Sequence, residues 1–222
     1  MKKIITVLLT LTLMLGVAGC SGNEAKSSVP NTSSSTEKKS KILVVYFSMP
    51  ENTNPNNMTP EEDNSAVVID GKVLGNTQYV AQLIQANTGA DIFRIEPQTP
   101  YPTDHKTLVD LAKNEQTNRA RPALAKKIEN IGQYDVIFVG YPIWWADMPM
   151  ILHSFFEGTD LSGKKIIPFS THGGSGFADT ISTIQRLEPN ATVATNGFTV
   201  SRNNVANSKN DVISWLKSLN LR

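Results

Sequence analysis

The chain has 222 residues, 40% of them hydrophobic and 18% charged, with one cysteine and a formal net charge of +1. That length allows one or two domains with a substantial core. A single cysteine excludes a disulfide within these residues and any all-cysteine zinc or iron–sulfur centre, and a near-neutral balance argues against general nucleic-acid binding, which needs a basic face.

Charge is unevenly spread. Five Lys and two Glu fall before residue 41, so the remainder carries 16 basic against 18 acidic residues. The segment expected to fold is therefore mildly acidic and offers no electrostatic attraction to anionic lipid.

Residues 1–19 read as an address. A cationic start, Met1-Lys2-Lys3, precedes an apolar run over 4–15 that is shorter than the roughly 20 residues of a membrane span. The run ends in Val17-Ala18-Gly19-Cys20, small residues directly before the only cysteine. This resembles a bacterial lipobox, in which the thiol is acylated and the cysteine becomes the new N-terminus. Chains such as palmitate, at about 0.8 kcal/mol per buried methylene, would anchor the protein to the membrane. Residues 20–40 have too few apolar side chains to offset their ordering entropy and are expected to act as a tether.

From Lys41 the pattern alternates. Residues 42–47 form a continuous β-branched and aromatic run, as in a strand covered on both faces. A polar stretch over 49–74 follows, with a hairpin expected at 67–73 around Asp70-Gly71. Helical spacing then covers 77–87, a strand 91–96, a helix 103–118, a strand 136–139, and a helix 149–157. The remainder reads as a strand over 165–170, a helix over 177–187, a strand-like run over 192–200 and a closing helix over 212–219. Five strands alternating with helices imply an α/β fold, a parallel sheet with right-handed crossovers and ligands beyond the carboxyl ends of its strands.

Three loops follow three of those strand ends. The first leaves at Ser48 and enters its helix at Gly75-Asn76-Thr77, a capping pattern whose backbone donors suit either a plain helix start or a phosphate. No lysine follows the glycine, which excludes a nucleoside-triphosphate loop. The second is Tyr141-Pro142-Ile143-Trp144-Trp145; two adjacent indoles cannot both enter one core, so one is expected either against a flat ligand or packed under a neighbouring helix. The third, Thr171-His172-Gly173-Gly174-Ser175-Gly176, is glycine-rich enough for backbone amides to approach a planar ring edge. A nucleophile elbow and a receiver-type acidic pair are both missing, and His105, His153 and His172 lack metal-ligand spacing.

Taken in order, Tyr-Phe-Ser, Gly-Asn-Thr, Tyr-Pro-Ile-Trp-Trp and Thr-His-Gly-Gly-Ser-Gly resemble the flavodoxin family over nearly all of residues 41–222. The resemblance implies a three-layer sandwich, a five-stranded parallel sheet of order 2-1-3-4-5, and non-covalent FMN. It implies a phosphate held by Ser48, Asn76 and Thr77, and an isoalloxazine lined by Pro142, Ile143, Trp144 and Trp145, with one of the two indoles stacked. It places Thr171, His172, Gly173, Gly174, Ser175 and Gly176 at the pyrimidine edge. The family's phosphate loop is commonly compact, whereas here about 26 residues separate Ser48 from Gly75, and Asn52 imitates Asn76. The functional expectation is a lipid-anchored FMN electron carrier on the outer face of a bacterial cell membrane, serving a redox partner protein or a small quinone or flavin. A reductase using NAD(P)H and a non-redox ligand-binding lipoprotein are the alternatives.

Overall fold

The computed structural model describes residues 40–49, 54, 56 and 64–221. The chain divides into two units, Met1–Thr36 and Glu37–Arg222, and every described residue belongs to the second. The leader, Cys20, nearly all of the tether, and Asn52 lie outside the described residues.

The main sheet is built from β1 (Ile42–Tyr46), β4 (Asp91–Arg94), β5 (Val136–Pro142), β6 (Lys165–His172) and two short pieces, β7 (Thr192–Val193) and β8 (Phe198–Ser201). Its order is β4-β1-β5-β6 with β7 and β8 both on β6, and every pairing is parallel. Counting β7 and β8 as one interrupted strand, this is the expected 2-1-3-4-5 sheet. A separate antiparallel hairpin, β2 (Ala66–Ile69) and β3 (Lys72–Gly75), turns through Asp70 and Gly71 at φ 49° and 74°. Two left-handed residues in a two-residue turn match the twist of the flanking strands, which is why Asp-Gly stands there.

Alternation along β1 divides the core. Leu43, Val45 and Phe47 point to one side and pack with Leu108, Ile151, Leu152, Phe155 and Ile184. Val44 and Tyr46 point to the other and pack with Val80, Leu83, Ile84, Val212 and Leu216. Helices α1 (Asn76–Thr88) and α5 (Lys209–Ser218) therefore cover one face, and α2 (His105–Thr117), α3 (Met150–Gly158) and α4 (Thr180–Leu187) cover the other. Each fully buried aliphatic side chain contributes roughly 1.5–3 kcal/mol, so β1 alone, with five consecutive buried residues over 43–47, anchors both layers.

Most boundaries shift by one to three residues from the sequence reading, and three of the differences have an identifiable cause. The run over 192–200 is broken because Ile166 accepts from the Ala194 N–H at 2.8 Å, so Pro168, two residues on, faces the same neighbour without an N–H to give. Gly197 passes so close there that a Cβ would lie 2.4 Å from the Pro168 carbonyl oxygen. Helix α4 begins at Thr180 rather than 177, because Ala178 is left-handed at φ 47° and the Thr180 hydroxyl donates to the Phe177 carbonyl at 2.6 Å. Helix α5 starts at Lys209 rather than 212, continuing a 3₁₀ turn, Arg202–Asn207.

At the end of the sheet remote from these loops, Glu188 follows α4 and is buried. Burial, with the Asp160 charge nearby, pushes its carboxyl up to about 7. A raised carboxyl favours the folded state while protonated, below its unfolded value, and loses that contribution as pH rises through 7. Glu188→Gln should therefore stabilise the protein at pH 8 by on the order of 1–2 kcal/mol and leave it unchanged near pH 4.5, as urea denaturation would read. An equal gain at both pH values would contradict this account.

Candidate functional site

A cleft of about 220 Å³ opens where β1, β5, β6 and β8 end. Its first wall is the start of α1. Gly75 is the N-cap residue, and a Cβ there would stand 2.2 Å from Ser48 Oγ and 2.7 Å from the Met49 carbonyl oxygen. The missing side chain is what lets the chain return, after residues 49–74, to the point it left. Ser48 and Gly75-Asn76-Thr77 thus meet as they would in a compact loop.

The donors of this helix start are mostly spent. Gly75 N–H donates to Gln78 Oε1 at 3.0 Å, Asn76 N–H to the Ser65 carbonyl at 2.9 Å, and Gln78 N–H to Ser48 Oγ at 3.2 Å. The Asn76 side chain is 3% exposed; its Nδ2 donates to the Asn64 carbonyl at 3.2 Å, and its Oδ1 is buried without a hydrogen-bond partner. Such an oxygen costs free energy unless a ligand satisfies it. The Thr77 and Thr171 hydroxyls share a buried hydrogen bond of 2.8 Å, tying α1 to the end of β6.

The second wall is a tight turn after β5. Trp144 and Asp147 exchange both backbone hydrogen bonds, at 2.8 and 3.0 Å, with Trp145 and Ala146 between them at φ 52° and 60°. Two non-glycine residues in the left-handed region cost about 1–2 kcal/mol each. The turn is held by its surroundings. Trp145 Nε1 donates to the Val109 carbonyl at 3.1 Å, Gln116 Nε2 donates to the Trp145 carbonyl at 3.0 Å, and the Lys113 ammonium lies 5.0 Å from the Trp145 ring centre. Asp147 in turn lies 3.5 Å from the buried His153. The two indoles do part company: Trp144 is half-buried, edge-on to Phe47 and Tyr101 at 5.5 and 5.6 Å, whereas Trp145 is 48% exposed. Both line the cleft, together with Pro142 and Ile143.

The third wall is β6 and the loop it enters. Ile143 N–H donates to the Thr171 carbonyl at 2.9 Å, joining the second and third walls. His172 Nδ1 accepts from Gly174 N–H at 2.9 Å, which fixes the neutral ring with its proton on Nε2, and burial lowers its proton affinity further. Tyr141, fully buried beneath this wall, donates to Thr180 Oγ1 at 2.9 Å, and burial raises its phenol well above the ordinary value.

Of the residues expected from sequence, Asn76, Thr77, Pro142, Ile143, Trp144, Trp145, Thr171, His172 and Gly173 line this cleft. Ser48 does not; it caps α1 and lines a neighbouring cleft with Arg94 and Tyr101. Gly174, Ser175 and Gly176 continue the loop outside the lining. Sequence reasoning missed Met49, Asn64 and Ser65, the α2 residues His105, Leu108, Val109 and Ala112, and Arg202 after β8. The helical pattern of α2 marks Leu108 and Ala112 as inward, but no local signal connects that helix to the cleft.

The Flavodoxin family model matches residues 66–219, more than half of the chain. This protein belongs to the flavodoxin family. Among solved structures, a candidate flavoprotein of Bacteroides eggerthii is 30% identical, aligned over 82% of this chain and 99% of its own, with a TM-score of 0.61. Another from Bacteroides uniformis is 26% identical over 81% and 99%, again at 0.61. A Lactobacillus acidophilus flavoprotein solved in complex with FMN is 14% identical over 77% and 99%, at 0.53, a likeness of fold. No curated protein matches the chain significantly.

In this flavodoxin-family chain the long excursion before α1 makes Gly75 a steric requirement. Gly75→Ala should cost about 1–3 kcal/mol in urea denaturation, because Ser48 and Met49 must both yield. Gly132→Ala, where a Cβ would meet nothing within 4 Å, should change stability by less than about 0.5 kcal/mol. Equal effects of the two substitutions would contradict the closure at Gly75.

Proposed function

We propose that this protein is an FMN-dependent electron carrier, held on the outer face of a bacterial cytoplasmic membrane by acylated Cys20. The observation that carries the flavin reading is the hydroxyl pair of Thr77 and Thr171 at 2.8 Å. It joins the start of α1 to the end of β6, just before the glycine-rich loop, at one cleft walled by two indoles. The unpartnered Asn76 Oδ1 fits a ligand with hydroxyl donors, which a ribityl chain provides.

Thr77 and Asn76 hold the phosphate end, with the partial positive charge of the α1 N-terminus behind them. Trp144 and Trp145 line the ring, and His172 offers a neutral Nε2–H from the opposite wall. Bound FMN supplies reversible electron transfer through its isoalloxazine; the protein sets orientation and electrostatics. Neither residues 142–145 nor residues 171–176 include a lysine or arginine. The cations nearest the cleft come from elsewhere in the chain, Lys113 against the Trp145 ring and Arg202 at the rim.

The carrier reading is favoured over a nicotinamide-dependent reductase by location, since reduced nicotinamides are scarce outside the cell. Electrons then pass to or from a redox partner protein, or a small quinone or flavin.

Asn76→Ala and Thr77→Ala should each weaken FMN binding about tenfold or more with unchanged far-ultraviolet circular dichroism, measured by quenching of flavin fluorescence. Unchanged affinity in both variants would remove the phosphate assignment. The carrier should oxidise NAD(P)H no faster than free FMN does; sustained turnover with a quinone present would replace the carrier by the reductase.

A further inference from the structure

We infer that Arg202 is the counter-charge for the phosphate of the bound flavin nucleotide, and that it makes the cleft select phosphorylated over unphosphorylated flavin. This inference rests on the FMN reading above. Arg202 is the only Lys or Arg among the described residues lining the cleft, and no carboxylate lines it. Its guanidinium has no ion pair or hydrogen bond among the described residues. It lies against the end of β6: a Cβ at Gly173 would be 3.4 Å from Nη1 and 3.6 Å from Cζ. Those are ordinary van der Waals distances, which make Arg202 and Gly173 neighbours at the rim of the cleft.

The need for such a charge follows from the start of α1. A phosphate monoester carries close to two negative charges and is usually met by several free helix-start amides. Here Ser65, which leads into the β2–β3 hairpin, occupies Asn76 N–H, and Ser48 occupies Gln78 N–H. The amides of Asn76 and Gln78 are thus spent within the protein. The neutral donors that remain leave most of a dianion uncompensated.

The same hairpin supports the replacement. Val67 of β2 and Val205 of the turn that begins with Arg202 are buried in one cluster. The segment that takes a donor from the phosphate site therefore braces the turn that brings a cation to it. The requirement is for charge at the phosphate, not for hydrogen bonding to the ring.

The test uses the full chain, stripped of flavin, with dissociation constants for FMN and riboflavin measured by fluorescence quenching. Arg202→Gln should weaken FMN about tenfold or more and riboflavin by less than about twofold. Arg202→Lys should recover most of the loss, and added salt should weaken FMN binding more in the wild type than in Arg202→Gln. Equal losses for both flavins, no loss for either, or a shifted midpoint potential with FMN affinity intact would each overturn the inference. Wild-type protein that binds neither flavin would remove the FMN reading and this inference together; wild-type binding with an unaffected variant would remove the inference alone.

Discussion

The contact between Gly75 and the Ser48–Met49 backbone is the constraint on which the cleft depends. The chain leaves β1, travels through residues 49–74, and must re-enter the fold at the same place for α1 to start where a ligand can meet it. With 2.2 Å between Ser48 Oγ and the position of a Gly75 Cβ, only glycine permits that return. Ser48 then caps α1 across the junction, and Thr77 is set to reach Thr171 on β6. One absent methyl group thereby organises two walls of the site.

The other wall is built at a cost. Trp145 and Ala146 occupy left-handed backbone with side chains that disfavour it, and the turn survives because α2 holds Trp145 by its indole and its carbonyl. The Asp147 carboxylate accepts from the Met148 N–H at 2.8 Å and approaches His153. Strain maintained by tethers on every side fixes an indole at a chosen angle, which a ring-binding site needs and a purely structural loop does not. The neutral His172 and the lack of carboxylates among the lining residues complete a pocket suited to a flat, uncharged ring with a negative tail.

Much of this was legible in the sequence because local chemistry set it. The unbroken apolar run of β1 announces a strand buried on both faces, and Asp70-Gly71 names its own turn. The loops after β1, β5 and β6 could be read as a set because each follows a strand at the carboxyl edge. What stayed hidden comes from elsewhere in the chain. Pro168 interrupts the last strand by lacking an N–H on the side where that strand lies, which depends on register. His105 and Arg202 reach the cleft from α2 and from beyond β8, and Ser65 arrives with the hairpin. Arg202 follows the last strand, outside all three motifs, so no local signal marked it as part of the rim. Ser48 sits where the motif places it but spends its hydroxyl as an acceptor on α1.

The central claim is that the cleft between α1, the Trp144–Asp147 turn and the end of β6 holds FMN. The most direct measurement is the visible absorption spectrum of the purified protein after incubation with excess FMN and removal of unbound flavin. A retained flavin spectrum near one equivalent, perturbed from that of free FMN by the indole walls, is the expected result. A folded protein that emerges colourless would contradict the account and point instead to a non-redox ligand in the same cleft.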